Sequence, residues 1–135
     1  MILKVRHAMK DQPTTIDAEA TVTETAHKMI QTGKDTLIVL EKNSIKGTID
    51  LRNVLYYTYA EGFRPNQTPV GEITNVDIIF ARPNTSLEDA LTIMIETNHN
   101  TLPVVDGDLV GTISIHDLLK VQPKIRPLKA KNYMP

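Results

Sequence analysis

Toward the C-terminal end of the chain, Ser114-Ile115-His116-Asp117 puts a hydroxyl, an imidazole and a carboxylate within four consecutive residues. An ionised carboxylate only accepts hydrogen bonds, and a hydroxyl both donates and accepts. The carboxylate therefore suits a ligand that offers two hydroxyls, such as a ribose, and the serine suits a phosphate oxygen. A helix beginning at this point adds free N–H groups and the positive end of a dipole, both favourable to an anion. The same Ser-x-x-Asp spacing is also a capping box, in which the two residues satisfy each other's amides. The two roles are not exclusive. A hydrolytic triad is a poor reading, because residues this close at one helix start are badly placed to form a nucleophile–base–orienter chain. The four histidines, His7, His27, His99 and His116, lack the spacing of paired metal ligands. With no cysteine there is no thiol nucleophile, thiolate site or disulfide framework.

Positioning these residues is the work of a pattern written twice. Val5 matches Val70, Met29 matches Met94, Ile30 matches Ile95, Thr36 matches Thr101 and Val39 matches Val104, each 65 residues apart. After a turn that is one residue longer in the first copy, the offset is 64: Gly47 matches Gly111, Thr48 matches Thr112 and Leu55 matches Leu119. Such a period is too long for a solenoid and predicts two similar modules about a pseudo-two-fold axis, sharing one core. Thr21 with Glu24 is a capping box and Gly33 a left-handed stop, which brackets a helix whose apolar stripe is Val22, Ala26, Met29 and Ile30. Ser86 with Asp89 and Asn98 bracket the second copy of it. Two apolar runs about a polar turn follow in each copy, and Asp106-Gly107 is a strong hairpin signal. Short strands are expected before the first helices, near Pro13–Ile16 and Asp77–Ala81, so the unit reads β-α-β-β-α. The organisation is repeat 1 at residues 1–60, a linker at 61–69, repeat 2 at 70–122 and a basic tail at 123–135.

The text of the second copy, LPVVD followed by LVGTISIHDLL, resembles a cystathionine-β-synthase-type (CBS) domain, and roughly residues 5–120 resemble a tandem CBS pair. The resemblance implies an α+β fold and a regulatory module without enzymatic activity. Its ligand would be an adenosine-containing compound (AMP, ADP or ATP, S-adenosylmethionine, cyclic di-AMP) bound in a cleft between the repeats. No metal or other cofactor is implied. The ligand residues carried over are Ser114, Asp117, His116 and Thr112, with Asn100 facing the same cleft and Thr14, Thr15 and Ile16 beside the adenine. The first copy departs from the pattern, with Asp50 where the family has Ser or Thr and Asn53 where it has Asp. Asp50, Arg52 and Asn53 are accordingly expected to form a second, weaker cleft. Asp50 would repel a phosphate, so one phosphate-bearing ligand per chain is expected. The resemblance also implies a homodimer that passes ligand occupancy to a regulated enzyme or transporter. The alternatives are a structural dimerisation module with a degenerate cleft, or the regulatory part of an osmolyte-transporter ATPase subunit, which the GTID text around Asp50 resembles.

The bulk of the chain agrees with a small globular class. Its 135 residues are 41% hydrophobic and 23% charged, with net charge −1. This balance gives no support for nucleic-acid binding. No apolar run reaches membrane-spanning length and the N-terminus lacks a signal-peptide core, so the expected location is cytoplasmic. Two further features remain. Tyr56, Tyr57, Tyr59 and Phe63 form either a dimer or partner surface, or a clamp folding the linker onto the sheet. Lys120, Lys124, Arg126, Lys129 and Lys131 make the end of the chain basic, suited to an acidic partner or ligand phosphates, or simply solvated.

Overall fold

The computed structural model describes residues 2–121; the basic tail of residues 123–135 lies outside the described residues. Repeat 1 runs β1 (Thr15–Asp17), α1 (Val22–Thr32), β2 (Thr36–Glu41), β3 (Ser44–Asp50) and α2 (Leu51–Leu55), which passes into a π-helical turn over Tyr56–Ala60. Repeat 2 runs α3 (Leu87–Thr97), β4 (Thr101–Asp106), β5 (Asp108–Ser114) and α4 (Ile115–Val121). The fold is α+β, built as two β-α-β-β-α-like units.

The helix brackets form as their sequences dictate. Thr21 accepts from the Glu24 amide while Glu24 reaches back to the Thr21 amide, and α1 ends at Gly33 with φ 67°. Ser86 accepts from the Asp89 amide and α3 ends at Asn98 with φ 57°. Only glycine and asparagine enter that left-handed region readily, so two different residues deliver one geometry.

The copies differ at their first strand. β1 lies parallel to β2, with Thr15 opposite Ile38 and Asp17 opposite Leu40. The expected strand over Asp77–Ala81 shrinks to a single parallel bridge, Ala81 to Val104. In repeat 1 the Ile38 amide donates to the Thr14 carbonyl at 3.2 Å. The equivalent of Ile38 is Pro103, which has no N–H to give to Ile79. The ladder is cut at that point.

The core also departs from the expected single one. Val22, Met29, Leu37, Val39, Ile49 and Val54 of repeat 1 pack with Val70 and Ile73. Leu87, Met94, Leu102, Val104, Ile113 and Leu118 of repeat 2 form a separate cluster with Val5. The first residues of each repeat thus pack in the core of the other. The exchange is made by backbone: Val5 N–H donates to Thr85 O and Lys10 pairs with Thr112 on one side. On the other side Val70 N–H donates to Ala20 O and Asn75 pairs with Thr48. Gly47 and Gly111 permit these crossings, because a Cβ there would stand 2.0 Å from Asn75 O and 2.2 Å from Lys10 O.

The aromatic segment is split between packed and exposed rings. Tyr57 packs against the core of repeat 1 and meets Phe63 edge-on at 5.6 Å, folding the linker back. Tyr56 and Tyr59 are exposed, Tyr59 by 85%.

Candidate functional site

Each second helix starts where the hairpin before it ends, and each start is tied to the residue that opens that hairpin. The Leu51 amide donates to the Asp35 carbonyl at 3.0 Å, and the Ile115 amide to the Asn100 carbonyl at 3.0 Å. Asp35 and Asn100 are equivalent positions, and they meet between the repeats: Asn100 Nδ2 donates to Asp35 Oδ2 at 3.1 Å. A cleft opens on either side of this pair. Their volumes, about 480 and 550 Å³, lie in the range of small-molecule sites, roughly 300–1,000 Å³.

Thr14, Asn100, Thr112, Ser114, His116 and Asp117 border the first cleft. Thr15 and Ile16 do not line it. Thr15 pairs with β2 and its carbonyl accepts from the Lys28 ammonium, while Ile16 packs on the core of repeat 1. The wall facing α4 is the stretch from Gly33 to Thr36, at the C-terminal end of α1. Sequence reasoning missed it, although shifting Asn100 and Thr101 back by 65 lands on Asp35 and Thr36.

Asp117 is 5% exposed and forms the capping box in full. Its Oδ2 accepts from the Ser114 amide at 3.0 Å, and its own amide donates to Ser114 Oγ at 3.1 Å. The amides of Ser114, Ile115 and Asp117 are therefore committed inside the protein, which reduces what the helix start can offer a phosphate. Oδ1 remains, with Lys10 Nζ at 4.0 Å. Lys10 reaches this place on the exchanged N-terminal segment, a contact the sequence does not reveal. The equivalents of Asp117 and Lys10 in the other copy are Asn53 and Asn75, a neutral pair in place of a charged one.

The second cleft takes in Asp50 and Arg52 but not Asn53, whose amide donates to Asp50 Oδ1 at 2.9 Å. Leu51, Leu55, Met94 and Ile95 make it the more apolar of the two, and Asp35, Thr36, Asn100 and Ile115 border both. Among the described residues no group of three or more His, Cys, Asp or Glu is arranged to hold a metal, and no helix is long and apolar enough to cross a membrane.

Two similar repeats with paired clefts at their junction define the architecture of a tandem-repeat module. The CBS domain profile matches residues 5–59 and again 70–124, and the chain belongs to that family as a tandem pair. It is 35% identical over 115 residues to the CBS domain-containing protein YhcV of Bacillus subtilis, covering 84% of this chain and 81% of that one. It is 33% identical over 86 residues to the magnesium transporter MgtE of Thermus thermophilus, 62% of this chain but 18% of the transporter. Among solved structures, a putative signal-transduction protein with CBS domains from Burkholderia ambifaria superposes with a TM-score of 0.80 at 25% identity, covering 89% of each chain.

Proposed function

We propose that the chain is a non-catalytic sensor that binds an adenosine-containing ligand in the first cleft and transmits its occupancy to a partner. The observation that carries this reading is Asp117. A buried carboxylate keeps one oxygen directed at a lysine while the other is held by the cap, in a cleft walled by both repeats. A ribose would take the free oxygen as acceptor, and Ser114, Thr112, Asn100 and Thr14 supply neutral polar partners around it. Lys34, His116 and Lys10 bring positive or ionisable groups to the same side, consistent with a phosphate-bearing ligand. Because residues of both repeats line the cleft, a ligand there can favour one arrangement of the repeats over another, the requirement for any switch.

Isothermal titration with AMP, ADP, ATP, S-adenosylmethionine and cyclic di-AMP tests the reading. Saturable binding of one of them, at one site per chain, is the expected result. Failure of all five leaves the second reading, a dimerisation module. That reading draws on exposed apolar residues at matched positions, Ile30 with Ile95 and Leu55 with Leu119. The partner class we favour is a cytoplasmic enzyme or a transporter, in keeping with the module's occurrence in a magnesium transporter.

A further inference from the structure

One contact at the second cleft has no counterpart at the first. Arg52 and His116 hold equivalent positions, second in their helices, and the C-caps facing them are Asn98 and Gly33. At the second cleft the Arg52 guanidinium donates to the Asn98 carbonyl at 2.8 Å and to Asp50 Oδ2 at 3.3 Å. The other Asp50 oxygen caps α2 through the Asn53 amide. The guanidinium thus spans from repeat 1 to the end of α3 in repeat 2, steered by a carboxylate that the cap itself fixes. At the first cleft the serine is neutral, and among the described residues His116 makes no such link to Gly33.

We propose that Asp50, Arg52 and the Asn98 carbonyl form a built-in strap that closes the second cleft to anionic groups, with Asp50 and Arg52 as its specificity-determining pair. The inference rests on reading the clefts as ligand sites. An anion entering there must lie against the Asp50 carboxylate, a like-charge contact, or draw Arg52 away and break its bonds to Asp50 and the Asn98 carbonyl. Asp35, on the wall shared by both clefts, adds a second carboxylate. The apolar lining from Leu51, Leu55, Met94 and Ile95 leaves the site open to an uncharged or cationic ligand with an apolar body. Both bonds come from Arg52 Nη2, whose two N–H directions are fixed in the guanidinium plane, a geometry that a freely rotating lysine ammonium does not preset.

Pyrophosphate, which carries no adenosine, is the probe. Its titration into the full chain is followed through the backbone amide signals of Leu51, Arg52, Asn98 and His99. In the wild type these signals are expected to respond weakly. Asp50→Ser keeps a cap acceptor for the Asn53 amide and removes the charge, and should tighten pyrophosphate at these signals by about tenfold or more, a size between the water-like and near-surface values of one like-charge contact. Asp50→Asn, the closer isostere, should do the same and guards against a folding defect in the serine variant. Adding Arg52→Met to either should abolish the gain. The strap is overturned if both single variants bind pyrophosphate no tighter than wild type, or if the gain survives loss of Arg52. AMP titration followed at Ser114 and His116 tests the first cleft separately, so failure of the adenosine reading does not decide this one.

Discussion

Asp117 holds two jobs with its two oxygens, and a pair of substitutions separates them. Asp117→Ala removes the acceptor of the Ser114 amide, now 3.0 Å away, and the ligand acceptor together. Ser114 remains as the N-cap, and leaving its part-buried amide without an acceptor costs about 1–3 kcal/mol of stability. Leaving a ligand hydroxyl unpaired costs on the order of 1–3 kcal/mol of binding, which is roughly a 5- to 150-fold weaker Kd. Asp117→Asn retains an oxygen for the Ser114 amide but loses the charge and the attraction to Lys10. Since charge-assisted bonds are roughly twice as strong as neutral ones, about half of the alanine variant's binding loss should remain. The first copy of the repeat already makes this substitution, with Asn53 at the matching place. Urea unfolding gives the stability change and calorimetric titration with AMP gives the binding change. The expected pattern is that both variants bind AMP more weakly while only alanine unfolds at lower urea. An asparagine variant that binds AMP with wild-type affinity would show that the carboxylate does not hold the ribose.

Three further outcomes are expected. Gly111→Ala would press a methyl to 2.2 Å from Lys10 O, so it should destabilise by about 1–3 kcal/mol in urea and release the Lys10–Thr112 pairing, visible as faster exchange of the Thr112 amide; unchanged exchange would show that the crossing is not tight. Tyr56 holds its proton above the ordinary phenol range because it donates to the Glu61 carboxylate and lies in its field. Ultraviolet titration should show one tyrosine ionising late in the wild type and at lower pH in Glu61→Gln; identical curves would remove the interaction. Sedimentation equilibrium should give twice the chain mass of 15.1 kDa, and Ile30→Asp with Ile95→Asp should return the monomer; a monomeric wild type ends the dimer proposal.

The helix brackets and hairpins were legible because local chemistry alone decides them. A capping box, a left-handed stop and an Asp-Gly turn each act within a few residues, and α1, α3, β4 and β5 fall where those signals stand. The missing strand before α3 was hidden for a different reason. Its own residues read as strand, and the defect lies in the partner, where Pro103 withholds one donor. The exchange of Val5 and Val70 between cores was hidden too, since the apolar pattern marks both residues as buried without saying in which repeat. Likewise Lys10 carries no motif; only the exchanged segment brings it to Asp117.

The repeat explains both what was visible at the site and what was not. A duplicated unit with a pseudo-two-fold axis presents the same backbone to both clefts, so Asn100 implies Asp35 and Ser114 implies Asp50 by arithmetic alone. What arithmetic does not supply is how substituted side chains use that backbone. Serine at position 114 accepts one amide and leaves the carboxylate of Asp117 as the cleft's charge. Aspartate at position 50 accepts the same amide but brings the charge itself, and that charge recruits Arg52 across to Asn98. The cap substitution, together with arginine in place of the histidine at 116, therefore changes the charge of the cleft and the bonding between the repeats. The asymmetry we propose for the two clefts follows from these side chains, while the helices and hairpins that carry them keep the same arrangement.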